Sequence, residues 1–315
     1  MGGTGIKLRG WELTLVVALT LGALWPQAAQ AYHLGDHKRI ALQAVSEINH
    51  CYPGLISEFH SFVLWTSDLD EDIDILRKDF VYSHYFNPYK HLNMWRYDSS
   101  VRVSRLEKAL LEDAAGGDNG GFLVYAHLGH AIHQLHDMTV PAHVVPVAHW
   151  LNDGFEKFPF KGDISSGLSC NQLKQLPSAT NAAPDLNTLL IRTAKQTLAS
   201  VAAIRLKILR NNKPEWISGD AFWQESSNND FGHYGVLGNN YGRSSFVVNG
   251  VHYVIPNAQK FYAKFKQQQM KLATRVSAQA LYWFLVLHGK GQIKTPPHQR
   301  LALQPRDSST KIRAN

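Results

Sequence analysis

The sequence predicts an all-α protein: a single multi-helix domain with a small β-hairpin near residues 246–255. Three observations predict it. Apolar residues recur at helical spacing through several long stretches; in Asp185–Arg210 the stripe is Leu189, Leu190, Ala194, Leu198, Val201, Ala202, Ile208 and Leu209. One segment reads as a hairpin, Phe246–Ile255, because Asn249-Gly250 is a favoured two-residue turn. The 315 residues contain no internal repeat and no sign of a second domain.

Composition narrows the class. A hydrophobic content of 44% allows a sizeable core. Sixteen histidines fit metal binding. The net charge of +7 and a pI near 9.3 favour polyanionic partners, such as membrane phosphates or nucleic acid. Two cysteines, Cys51 and Cys170, allow at most one intramolecular disulfide, so the chain is not a disulfide scaffold.

The first segment, 1–31, reads as a secretory signal. Lys7 and Arg9 form a basic start, Leu13–Leu24 is apolar but too short to span a bilayer, and Ala29-Gln30-Ala31 is a small-x-small cleavage site. No later apolar run approaches 18 residues, so the expected mature protein is soluble and exported to the periplasm or beyond. Cleavage after Ala31 makes Tyr32 the new terminus, and an α-amine with the carbonyl of the same residue can chelate a metal. From there a helix is expected to about Asn49, with His37 near its start.

Residues 55–67 form a second expected helix, ending in the acidic run Asp68-Leu69-Asp70-Glu71-Asp72-Ile73-Asp74. Val81–Pro88 is an aromatic stretch around His84. A charged amphipathic helix follows over 101–115, then a flexible glycine-rich loop, Gly116–Gly121.

The central helix runs from about Phe122 to Met138. Five histidines and an aspartate fall within residues 127–143. His133 and Asp137 are four apart, on one helical face. Pro141 ends the helix, because the residue before a proline avoids helical angles. His143 lies on the turn beyond. Two imidazoles and a carboxylate thus reach one small volume at a helix end, which suits zinc with its nitrogen and oxygen ligands at about 2 Å. A single histidine on such a helix is more often a core residue; five, with a carboxylate in phase, favour a metal site. His127, His130 and His136 do not all share that face and are read as core or supporting residues.

Beyond the proline, His149 and Asp153 are again four apart, with Glu156 a spare carboxylate. Residues 160–184 are rich in Gly, Ser, Pro and Asn and read as a surface loop. Asp185 is a good N-cap for the long helix to about Arg210. Residues 214–243 have no clear period. The last helix is expected over Tyr262–His288, before a basic tail, 289–315, expected to be disordered.

The motif His133-x-x-x-Asp137-x-x-x-Pro141-x-His143 resembles the signature of the zinc-dependent phospholipase C and S1/P1 nuclease superfamily. The resemblance covers 32–288 and is motif-dense in 32–37, 68–88 and 133–153. It implies three zinc ions per chain. Family members begin with a tryptophan whose amine and carbonyl bind zinc, where this chain has Tyr32. A histidine follows as the sixth residue in the nucleases, and His37 is sixth from Tyr32. The implied groups are Asp68, His84, His133 and Asp137; Tyr32 and His37 sharing Asp137 as a bridge; and His143, His149 and Asp153. Asp68, with Asp70 as fallback, is also the implied general base.

The resemblance implies an exported phospholipase C acting on phosphatidylcholine-type lipids at a membrane surface, without an obligate protein partner. Ser83-His84-Tyr85-Phe86-Asn87-Pro88 is similar to the stretch carried by the phospholipases, and the few cysteines point the same way. The basic charge and the N-terminal spacing point instead to a single-strand nuclease. A third reading is a secreted zinc-binding protein without catalysis. No phosphate-cradling glycine loop, Ser-His-Asp arrangement or Cys-x-x-Cys site competes.

Overall fold

Helices form where the apolar stripes run, and the computed structural model shows where each stripe stops. It describes residues 32, 34–73, 84–90, 98–115, 121–147, 149, 153–174, 185–228 and 230–288. The expected signal segment 1–31, the expected loop over 116–120, the expected tail from Gly289 and the side chain of Asp70 lie outside the described residues.

The first helices are α1 (Leu34–Cys51), α2 (Glu58–Ile73), α3 (Ser99–Ala115) and α4 (Phe122–Asp137). Two short helices follow, α5 (Pro141–Val144) and α6 (Gly154–Lys157), then α7 (Cys170–Lys174) and α8 (Leu186–Ala202). The last, α9, spans Ala258–Leu281 and continues as a π-helical stretch, Tyr282–His288. The fold is mostly helical with small antiparallel sheets, and no described helix is long and apolar enough to cross a membrane.

Helix α4 is the axis. Its Leu128, Ala131, Ile132 and Leu135 are fully buried. It lies parallel to α2: His60 stacks on Tyr125 at 4.1 Å, Gly129 faces Leu64 and Ser67, and Asp68 meets His133. A Cβ on Gly129 would press into the carbonyl of Leu64 and come within 2.8 Å of the Ser67 Cβ. Both neighbours are helix framework and cannot swing away. Gly129→Ala therefore destabilises the protein by about 1–3 kcal/mol, the usual cost of overpacking. Urea denaturation checks this, and a midpoint unchanged from the parent would contradict the close packing.

Pro141 does more than stop α4. It occupies the first turn of α5, where its missing N–H is no loss, and so launches the turn that carries His143. Asp185 caps α8 by accepting from Thr188 N–H, as its sequence position predicts.

Helix α8 ends at Ala202, eight residues before the expected Arg210. Residues Leu206–Arg210 are instead strand β1, paired with β2 (Lys213–Ile217). Leu206 and Ile208 point inward while Lys207 is exposed, a period of two. The turn between the strands, Asn211-Asn212, has φ of 47° and 64°, the left-handed pair that a tight hairpin requires. Two short strands, β3 (Trp223–Gln224) and β4 (His233–Tyr234), pair with each other. The expected hairpin is present as β5 (Ser245–Val248) and β6 (Val251–Val254), with Asn249-Gly250 at the turn. The larger sheet has the order β2-β1-β6-β5.

Cys51 and Cys170 form a disulfide that joins the end of α1 to α7. The loop before it is tied down on both sides. Glu47 of α1 accepts from the Ser166 N–H at 2.7 Å, and Lys271 of α9 pairs with Asp163 at 2.8 Å.

Candidate metal centre

Helices α1, α2 and α4 converge on the first group: His37, Asp68 and His133. Asp68 Oδ1 lies 3.1 Å from His37 Nδ1 and 3.2 Å from His133 Nδ1. The two imidazoles stack at 4.6 Å. The backbone nitrogen of Tyr32 donates to His37 Nε2 at 3.3 Å. Tyr32 itself is fully buried, with its hydroxyl 2.8 Å from Thr139 Oγ1.

The second group is His84, His133 and Asp137. Asp137 Oδ2 is 2.6 Å from His84 Nδ1, 3.5 Å from His133 Nε2 and 3.7 Å from His143 Nδ1. His133 thus lies between the two groups, with one ring nitrogen towards each; a neutral imidazole has a single lone-pair nitrogen, so it would ligate in only one of them at a time.

The third group is His143, His149 and Glu156. Glu156 Oε1 is 3.2 Å from His143 Nε2 and 3.0 Å from His149 Nε2. The opposite nitrogens face carbonyls: His143 Nδ1 is 2.6 Å from the His84 oxygen, and His149 Nδ1 is 2.7 Å from the Val147 oxygen. A carbonyl can only accept, so each Nδ1 carries its proton and each Nε2 is left as the ligand atom.

All nine sequence-predicted residues therefore lie in or beside one buried region, but their grouping differs from the expectation. Asp68 sits with His37 rather than with His84. Asp137 reaches towards His143 rather than towards Tyr32 and His37. Asp153 is not the carboxylate of the third group; Glu156 is. Asp153 is occupied as the N-cap of α6, with Oδ1 accepting from the N–H groups of Phe155 and Glu156. Its Oδ2 accepts from the Tyr234 hydroxyl at 2.9 Å and from Trp223 Nε1 at 3.5 Å. The signal was present in Asp153-Gly-Phe-Glu156, a capping-box spacing that assigns the first carboxylate to the backbone.

His136 is closer to the centre than its reading as a core or supporting residue implied. Its Nδ1 lies 3.0 Å from His37 Nδ1 and 3.5 Å from Asp68 Oδ1, and its Nε2 is 2.8 Å from Ser277 Oγ. Tyr85, which the sequence did not single out, stacks on His143 at 5.0 Å. His127 lies apart, paired with Asp113 at 2.8 Å.

Charge states follow from this crowding. Burial pushes the Asp68 carboxyl up, but His136 and His37 outweigh it and hold the group well below the usual carboxylate range. Asp137 is likewise lowered, with His133, His84 and His143 overcoming burial. Burial pulls the His136 imidazole below its ordinary value, against the opposing charge of Asp68. A metal takes its carboxylate ligands ionised and its imidazole ligands neutral, so binding is coupled to proton release.

The residues fit a metal. Asp68 Oδ2 and Asp137 Oδ1 are buried and, among the described residues, meet no hydrogen-bond donor. A buried carboxylate oxygen without a donor is costly unless a cation faces it. In each group the ligand atoms lie within 4.8 Å of one another. The donors are all imidazole nitrogens and carboxylate oxygens, a set that suits zinc.

The third group gives a pH prediction for the metal-free protein. Burial pulls His149 down, but the Glu156 charge prevails and raises it to about 9. Burial raises Glu156, but His149 and His143 prevail and lower it to about 2. The histidine's contribution to stability is full below its unfolded value near 6.5 and is lost as pH rises through about 9. That of the glutamate is full above about 4.5 and is lost as pH falls through about 2. Zinc requires His149 neutral, so binding at pH 7 releases its proton and strengthens with rising pH. Calorimetric titration in two buffers of different ionisation enthalpy checks this; identical heats in both would contradict it.

No family model and no curated protein matches the sequence. Among solved structures, the chain is similar to the alpha-toxin of an avian strain of Clostridium perfringens, with a TM-score of 0.50 and 13% sequence identity. The match covers 86% of this chain and 68% of that one. At that identity the likeness shows the fold alone.

Proposed function

We propose that this chain is an exported, zinc-dependent phospholipase C that hydrolyses phosphatidylcholine-type lipids to diacylglycerol and a phospho-headgroup. The observation that carries the reading is the nest of Asp68 and Asp137 among His37, His84, His133, His136 and His143, fully buried and with a donorless oxygen on each carboxylate. The motif from His133 to His143 supports the same family. Three zinc ions are proposed, held by the three groups above, with the Tyr32 nitrogen beside His37 as a further ligand once the chain is cut after Ala31. Zinc supplies Lewis acidity, polarising phosphoryl oxygens and bringing the pKa of a water towards neutrality.

The chain's own residues supply the rest. Asp68, held ionised, offers Oδ2 as the acceptor for a water proton and is the proposed general base. Carbonyls of His84 and Val147 fix the rings of His143 and His149. Tyr85 stacks on His143 and holds the ring from one side.

A single-strand nuclease of the S1/P1 type is the second reading. The Cys51–Cys170 disulfide favours it, since the low cysteine count had pointed to the lipase, and so does the basic charge. The test uses the cleaved, zinc-loaded protein on phosphatidylcholine vesicles and on single-stranded DNA, each with and without chelator. Chelator-sensitive release of phosphocholine is the expected result. Cleavage of DNA alone would transfer the protein to the nuclease reading. Zinc bound with no turnover of either would leave the non-catalytic one.

A further inference from the structure

Lys266 of α9 is fully buried, an uncommon place for an ammonium. Its three protons have three acceptors. Nζ lies 3.2 Å from Asp36 Oδ2 and donates at 3.0 Å to each of the carbonyls of Phe155 and Glu156. The same atom lies over the rings of Tyr32, at 4.6 Å, and Phe155, at 4.8 Å. The partners belong to two different supports. Asp36 and Tyr32 flank His37 at the head of α1; Glu156 is the carboxylate of the third group.

We propose that Lys266 is a positioning residue that sets both ends of the metal centre at once, the His37 end through Asp36 and Tyr32 and the Glu156 end through the backbone of α6. This rests on the reading of the three groups as zinc sites.

The physical reason lies in α6. The end of this four-residue helix is only partly satisfied from within: the Phe155 carbonyl accepts from the Phe158 N–H at 3.3 Å, and the Glu156 carbonyl takes its donor from Lys266. A cation at a helix C-terminus is also the favourable charge. Lys266 provides both, and the Glu156 backbone is thereby held at a fixed distance from α1. A neutral donor could satisfy the carbonyls, but it would not hold Asp36 or the face of the Tyr32 ring. Among the described residues the polar partners of Lys266 Nζ are Asp36 and the carbonyls of Phe155 and Glu156, so its effect passes through the residues it holds.

The test is zinc affinity measured by competition with a chromogenic chelator, with metal content from elemental analysis, on the full mature chain. Lys266→Met keeps the stem length and removes the charge. Two of three zinc equivalents are expected to weaken by about 10–100-fold, the usual effect of losing an outer partner of a metal ligand, while the third keeps its affinity. Lys271→Met, on the exposed side of the same helix, is expected to bind like the parent. Asp36→Asn is the second variant if the methionine protein does not fold, because Asp36 is partly exposed. It is expected to weaken one equivalent by about tenfold.

A folded Lys266→Met protein with parental affinity at every site would overturn the proposal, even if its metal-free form melts lower. Weakening of a single equivalent would overturn the coupling. For Asp36→Asn, unchanged affinity would count against the proposal in the same way. A parent chain that binds no zinc would instead sink the metal reading itself, so the two failures are distinguishable.

Discussion

On the proposed function, Asp137→Asn is expected to cut phosphodiester hydrolysis sharply and to lower the zinc content of the purified protein. Asp137 stands in the middle of the centre, with His84, His133 and His143 all within 3.7 Å of one carboxylate oxygen. Its other oxygen is buried without a donor. The amide of asparagine is nearly the same size but neutral, and one of its two polar atoms carries protons. It removes the charge that compensates the surrounding imidazoles and turns a donor towards a cation. The expected loss of activity is at least about 10²-fold, comparable with removing a key electrostatic group from an active site. Elemental analysis and initial rates check it together; full activity would dismiss the assignment of the centre.

Glu156→Gln and Asp153→Asn should behave very differently, although the two residues are close in sequence. Glu156 touches His143 and His149, and its amide would lose the charge the third group depends on. One zinc equivalent should be lost, and the rate should fall by about 10²-fold. Asp153 caps α6, and asparagine caps a helix about as well as aspartate. Its carboxylate is also raised in pKa, by burial first and then by the Glu156 charge. Asp153→Asn should keep all its zinc and a near-parental rate. The reverse pattern would restore Asp153 to the group that the family resemblance implies.

That reversal shows what a sequence can and cannot place. The four-residue step from His149 to Asp153 assumes a continuous helix. The chain instead starts α6 at Gly154, so Asp153 faces backbone N–H groups and Glu156 takes the ligand position. For His133 and Asp137 the same assumption is sound, because both lie within α4. His136 escaped for a related reason. Three residues on from His133 it lies about 60° round the helix, off the chosen face. The centre nonetheless wraps that far, because α1 brings His37 against it.

The helical core was legible because long stripes bury one face at a fixed period. Strand β1 was not, because Ile208 and Leu209 also continue the helical stripe of α8. The Asn211-Asn212 turn, a weaker signal than Asn249-Gly250, was the available clue. The cysteine count bounded the disulfide number at one, and the fold brings Cys51 at the end of α1 to Cys170 at the start of α7, 119 residues on.

Three histidine–carboxylate groups are proposed to hold zinc. The most direct measurement is an anomalous difference map, recorded at the zinc absorption edge from crystals of the cleaved, zinc-loaded chain. Three peaks are predicted: one among His37, Asp68 and His133, one among His84, His133 and Asp137, and one among His143, His149 and Glu156. A map with no peak at these residues, from crystals whose solution contained zinc, would contradict the claim.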